Sequence, residues 1–316
     1  MPPYDLVNGP REGAAEVFFT VAAAVSGETT NTNALVYARA ALHLRPGHVD
    51  AALLAADLLE AEGQHDLADA VYSTVPVDHP AYPEAAIGRA EVLMAIERND
   101  DAIELLKSLV ASRPNDPDIL SALATAYRRL ERWAEAEETY SRAIDAKPRI
   151  ETRDWSLFYA RAIARERQGK WEAAEADFRK ALELNPDQPS VLNYLGYSLI
   201  ERGEKLDEAL EMIKRAVAGR PDDGYILDSL AWAYFKLGRY DEAVEPMERA
   251  TELLPSDPIL NDHLGDIYWM VGRKREARFQ WRRALSFGPE PDEAKRISRK
   301  LEVGLDQVLA EEANGG

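Results

Sequence analysis

Cysteine is missing from the 316 residues, so no disulfide and no thiolate metal site can form. The absence says nothing about compartment, because reducing and oxidising spaces both hold cysteine-free proteins. Histidine is scarce: His43, His48, His65, His79 and His263 are all there is. No two lie four residues apart and no HExxH arrangement occurs, so a metal centre is not expected. Glycine never forms a GxxxxGK or GxGxxG loop, which leaves a phosphate cradle without support. No apolar run reaches the roughly 18 residues of a membrane helix. The opening MPPYDLVNGPREG has no positive segment followed by an apolar one. The chain therefore reads as soluble, in cytoplasm or periplasm, and a trimmed targeting segment ahead of Met1 would fit equally well. Positive charge is in deficit, 38 basic against 56 acidic residues for a net of -18. Such a field repels phosphate, so neither nucleic acid nor an anionic membrane is the expected partner.

What is present is alanine, with β-branched residues scattered rather than alternating in short runs, and that favours helices. Prolines stand just beyond apolar helical stretches at Pro46, Pro80, Pro114, Pro148, Pro186, Pro221, Pro255 and Pro289, separated by 34, 34, 34, 38, 35, 34 and 34 residues. Proline closes a helix, so a fixed spacing repeats that closure at the same place in each repeat. Twelve residues before each proline stands alanine: Ala34, Ala68, Ala102, Ala136, Ala174, Ala209, Ala243 and Ala277. A small side chain recurring there lets two helices approach closely.

Leu227, Leu230, Ala231 and Tyr234 recur in part as Leu264, Gly265 and Tyr268, and as Leu192, Leu195 and Gly196; Gly169-Trp171 and Gly238-Tyr240 mark internal turns. These features resemble the tetratricopeptide repeat family over roughly residues 15 to 291. The match is sharp in the last five repeats and degenerate in the first three, where Val25, Leu59 and Leu93 replace the tyrosine. The resemblance implies an all-α fold, a right-handed α-solenoid superhelix of helix pairs. It divides the chain into an N-terminal extension at 1-14, repeats at 15-48, 49-82, 83-116, 117-150, 155-188, 189-223, 224-257 and 258-291, and a C-terminal capping helix at 292-311. Glu151 to Asp154 form an insertion between the fourth and fifth repeats, and Glu204-Lys205 lengthens the turn of the sixth.

In the family, the non-core positions of each first helix line the concave side. Carried onto this chain they are Tyr159, Asn193, Tyr197, Tyr225, Asp228, Trp232, Phe235, Asp262, Asp266 and Trp269. Aromatics mixed with carboxylates suit a protein or peptide segment with apolar anchors and basic residues between them. The competing reading makes several of these aromatics plain packing between neighbouring first helices. Asp228 and Asp262 would repel a peptide carboxylate, which argues against capture of a C-terminus.

Between Arg273 and Lys300 ten basic residues face four acidic ones, a local +6 against -24 for the remainder. Arg278, Arg282, Arg283, Arg296 and Arg299 in this stretch are candidates for an electrostatic contact, self-association included. A solvated helix face is the plainer reading. Asp262 and Asp266 are paired carboxylates at i,i+4 without an enclosing cleft, a poor basis for hydrolysis. With no triad, metal set or cofactor loop, the expected role is a non-catalytic interaction scaffold without cofactors. The alternatives are a structural subunit joined through its outer faces or ends, and an adaptor module of a larger enzyme or envelope complex.

Overall fold

The computed structural model describes residues 7–28 and 30–315. Among them every regular element is helical. The helices follow one another in pairs: α1 (Pro10–Val25) packs on α2 (Asn31–Leu44), α3 (Val49–Ala61) on α4 (His65–Tyr72), α5 (Tyr82–Ala95) on α6 (Asn99–Ser112), and α7 (Pro117–Arg129) on α8 (Trp133–Asp145); α9 (Trp155–Glu166) and α10 (Trp171–Leu184) come next in the chain, and then α11 (Pro189–Arg202) packs on α12 (Leu206–Gly219), α13 (Gly224–Lys236) on α14 (Tyr240–Leu253), and α15 (Pro258–Met270) on α16 (Lys274–Ser286). Two further helices, α17 (Pro291–Val303) and α18 (Leu305–Gly315), complete the chain. Met1 to Leu6, six of the fourteen residues of the expected N-terminal extension, lie outside the described residues, and α1 already begins within it at Pro10.

Two compact units emerge, one of residues 1–151 with 156–174 and one of 152–155 with 175–316. In the first, α1 to α8 pack in chain order, and first helices also touch first helices: α1 on α3, α3 on α5, α5 on α7. The second repeats the pattern, α11 on α13 and α13 on α15, each with its own partner. The insertion at 151–154 contains a short 3-10 turn, Thr152–Asp154.

Local chemistry starts and stops these helices. Asp116, Asp223 and Asp257 accept from the free amides of the first turn, Asp257 at 2.9 and 3.1 Å from the nitrogens of Ile259 and Leu260. Pro117 and Pro258 follow, their fixed φ already helical. Between the helices of a pair one residue turns left-handed: Gly63, Gly169, Gly238 and Gly272 have φ between 70 and 82°. Glu97 and Glu131 take the same place without glycine, at φ 61 and 56°, so the turn forms there against a Cβ penalty.

Within a pair the packing is a hole filled by a knob. The eight alanines twelve residues before the prolines are all 0% exposed. Four residues later stand Tyr72, Leu106, Tyr140, Phe178, Ile213, Met247 and Trp281, each buried. The first helices offer Ala56, Ala90, Ala124, Gly196, Ala231 and Gly265 at the corresponding height. The two glycines show why: a Cβ on Gly196 would come within 2.7 Å of Ile213, and one on Gly265 would overlap the Trp281 indole. Each buried knob contributes about 1.5–3 kcal/mol by leaving water.

A single capping helix is expected after the last repeat, but the chain forms two. The break is Gly304, at φ 89°, where a side chain would collide with the Trp269 ring. Only glycine lets the backbone pass that ring and turn back. Ile297, Leu305 and Val308 are buried as their spacing implies.

Candidate functional site

The faces of α11, α13 and α15 that the family pattern marks as inward carry most of the residues expected to line a groove. On α11, Asn193 and Tyr197 are half-buried and Glu201 is exposed, one turn apart along a single stripe. Glu201 accepts from the Trp232 indole nitrogen at 2.6 Å and from Lys236 at 3.3 Å. The Trp232 ring lies between Phe235, stacked at 4.7 Å, and His263, stacked at 4.0 Å. His263 Nδ1 lies 2.8 Å from the Asp228 carboxylate. Burial, with Glu201 and Asp228 nearby, pushes the Tyr197 phenol well above its ordinary range. Tyr197 therefore remains a neutral ring with an O–H donor at every pH the fold experiences.

Toward the C-terminus this face is filled by the chain itself. Lys300 of α17 is 0% exposed, and its ammonium lies 2.7 Å from Asp262 Oδ2 and 2.7 Å from both oxygens of Asp266. Trp281 donates to Asp266 Oδ1 at 2.9 Å. Arg296 stands 3.8 and 3.6 Å from the same two carboxylates and binds Glu312 at 2.6 Å. Burial raises the Asp262 pKa, Asp266 adds to the rise, and Lys300 opposes it. The Trp269 indole donates to Asp306 at 2.8 Å under Lys274 and Arg278.

The expected site residues thus divide. Tyr197 is half-buried against the core of the second unit, Asn193 is half-buried with its Oδ1 shut off from solvent, Tyr225 is 58% exposed at the start of α13, and Tyr159 is half-buried on α9 in the first unit. Asp228, Trp232, Phe235, Asp262, Asp266 and Trp269 are buried in internal contacts and are not open groove surface. Of the basic candidates, Arg278 donates to the Leu301 carbonyl, Arg283 to that of Pro255, Arg296 pairs with Glu312, and Arg299 with Glu302 and Glu311. Arg282 is exposed. Among the described residues no group of three or more His, Asp or Glu could hold a metal ion.

The family model of the tetratricopeptide repeat matches residues 81–287, more than half of the chain. The chain belongs to the tetratricopeptide repeat family. It is 30% identical over 181 residues to TPR repeat-containing protein PA4667 of Pseudomonas aeruginosa, covering 57% of this chain and 30% of that protein. It is 28% identical over 189 residues to human Tetratricopeptide repeat protein 13, covering 58% and 21%. The chain thus spans less than a third of the length of these relatives. Among solved structures, the Cut9-Hcn1 hetero-tetramer of the APC/C aligns with TM-score 0.65 at 15% identity, over 95% of this chain and 57% of that one. A tetratricopeptide repeat protein from Parabacteroides merdae aligns with TM-score 0.55 at 16% identity, over 93% and 99%. At such identity these structures speak for the fold alone.

Among the residues of this tetratricopeptide repeat chain, the family pattern pointed to the carboxylates but missed what they bind. Glu201, His263, Trp281 and Lys300 complete the array. The signal for Lys300 is in the sequence: it shares a helical stripe with Ile297 and Gly304, where an apolar residue belongs. His263 yields a pH prediction. Burial disfavours its charge, but Asp228, then Asp262 and Asp266, outweigh that and raise its pKa above 6.5. Its stabilisation is full below about 6.5 and is lost as pH rises through the higher folded value. Thermal melts should therefore show wild type losing stability from neutral to mildly alkaline pH, while His263→Gln stays flatter. Parallel curves for the two proteins refute this.

Proposed function

We propose that this chain, a protein-interaction scaffold of the kind typical of tetratricopeptide repeat proteins, holds a partner segment on the inward face of α11 and α13. The segment carries an apolar anchor for Tyr197 and a lysine or arginine for Glu201. The observation that supports this reading most is the chain's own occupation of the neighbouring surface: a helix bearing Lys300 and Arg296 is received by Asp262 and Asp266. A carboxylate-rich face with aromatic walls accepts a basic helical side chain there; on the α11 stripe Tyr197 is half-buried against the core, and Glu201, which accepts from Trp232 and Lys236, keeps 38% of its side chain exposed. Charge complementarity of this type favours selection of partner and docking rate over raw affinity.

The partner, obtained by cross-linking in the native cell, provides the test. Tyr197→Ala and Glu201→Lys each alter a side chain of this stripe and should weaken its capture about tenfold or more. Glu211→Lys on the outer side of α12 should leave capture unchanged. The reverse ranking would assign the interaction to the outer faces, the arrangement of a structural subunit.

A further inference from the structure

The outward stripe of α16 departs from the helices that precede it. Arg275, Phe279, Arg282 and Ser286 stand one to two turns apart along it; the corresponding residues of α14 are Asp241, Glu245, Glu248 and Glu252, and of α12 Asp207, Glu211, Lys214 and Ala218. A phenylalanine has replaced glutamate at the centre of a solvent-facing stripe. Phe279 is 60% exposed, and Phe287, at the end of the helix, is 38% exposed with the Arg283 guanidinium 5.7 Å from its ring. Neither ring is needed to fill the knob position, which Trp281 occupies from the opposite side.

The arginines differ from their neighbours as well. Arg273 is held by Glu248 and Glu276, and Arg296 and Arg299 by the glutamates of α18. Among the described residues no ion pair or hydrogen bond engages Arg275 or Arg282. Two unpaired guanidiniums thus flank an exposed aromatic ring at helical spacing, in a chain whose net charge is -18. Guanidinium groups bind carboxylates in a planar, two-pronged manner, and aromatic residues with arginine are the side chains that anchor protein interfaces.

We propose that this stripe docks an acidic helical segment of another protein, with carboxylates that meet Arg275 and Arg282 and aliphatic or aromatic anchors that seat on Phe279 and Phe287. The charge complementarity is with a protein carboxylate rather than with nucleic acid or lipid, whose dense phosphate would face the repulsion of the remaining -24 charges. A second copy of the chain is a poorer fit, because two of the four carboxylates on its acidic stripe, Glu248 and Glu252, are already paired with Arg273 and Arg249. This site lies on the outer side of the last pair and stands independently of the inward face.

Fluorescence anisotropy with a labelled amphipathic peptide tests it, the peptide carrying glutamates on one stripe and leucines at the spacing of Phe279 and Phe287. Wild type should bind. The double variant Arg275→Glu/Arg282→Glu should lose about a hundredfold in affinity at low salt, and Phe279→Ala about tenfold. Tyr197→Ala should bind as wild type does. All these positions are partly or fully exposed, and circular dichroism checks that the helices persist. Failure of the wild type to bind, or equal binding by all variants, overturns the proposal. So does tighter binding to a single-stranded DNA oligomer or to phosphatidylserine vesicles than to the peptide. A concentration-dependent dimer in sedimentation, abolished by Arg282→Glu, would overturn it by assigning the stripe to a second copy.

Discussion

Lys300→Ala should cost about 3–5 kcal/mol at the C-terminal end of the second unit, the largest loss expected from any charged residue here. The ammonium is fully buried between Asp262 and Asp266, and truncation leaves two carboxylates facing each other with the Trp281 indole and the more distant Arg296 guanidinium, 3.6 and 3.8 Å away, as remaining partners. Asp262 already has one buried oxygen without a hydrogen-bond partner, so the array has little reserve. Removing one member of a buried pair exposes the desolvation penalty of the others, whereas replacing the set by neutral groups does not. The triple variant Asp262→Asn/Asp266→Asn/Lys300→Met should therefore recover most of the loss. Urea unfolding followed by tryptophan fluorescence measures both, with hydrogen exchange to locate the weakened helices, since repeat arrays need not unfold in one step. A cost below about 1 kcal/mol for Lys300→Ala would mean that the pair adds nothing to the fold.

Trp281→Ala should be nearly as damaging, about 3–5 kcal/mol, because it empties the knob position of the last pair. The indole is 0% exposed, lies against Gly265 and donates to Asp266, so both a cavity and a lost hydrogen bond result. The fit between hole and knob predicts a change of sign. In wild type, Gly265→Ala drives a methyl into the indole and should destabilise by about 1–3 kcal/mol. In the Trp281→Ala background the same methyl enters the space of the indole, with the Ala277 carbonyl at 3.1 Å as its close neighbour, and adds helix propensity, so it should stabilise. If Gly265→Ala is equally harmful in both backgrounds, the glycine serves something other than the ring.

These two positions also show what the sequence could disclose and what it could not. Periodic prolines and alanines reveal the helix pairs because each marks an event forced by local chemistry, the end of a helix or a close approach of two backbones. The knob at Trp281 is similarly legible, four residues after Ala277. The fate of the inward face is not local. Whether Asp262, Asp266 and Trp269 meet solvent or protein depends on where the chain goes after Pro289. A helical spacing of Ile297, Leu301, Leu305 and Val308 suggests one straight cap. The turn at Gly304 follows from a steric encounter with Trp269, thirty-five residues earlier, and no pattern within the last helix announces it. Trp232 was open to two readings from sequence, groove or packing. Its indole now lies between two rings and bonds Glu201, which places it in the packing, while Tyr197 is half-buried and Tyr225 stays exposed.

The positions of Tyr197 and Lys300 together frame the interaction surface proposed above. α17 and α18 cover the face of α15, and the adjoining stripe of α11 carries the half-buried Tyr197 and Asn193 and the exposed Glu201, the residues to which the proposal assigns a guest. A photo-crosslinking amino acid placed in turn at position 197 and at position 211 of the full chain, irradiated with the partner bound, tests this directly. Adducts formed at 197 and absent at 211 are the predicted result. Adducts formed only at 211 would contradict the account, for they would place the partner on the outer face of the helices and leave the inward stripe without a guest.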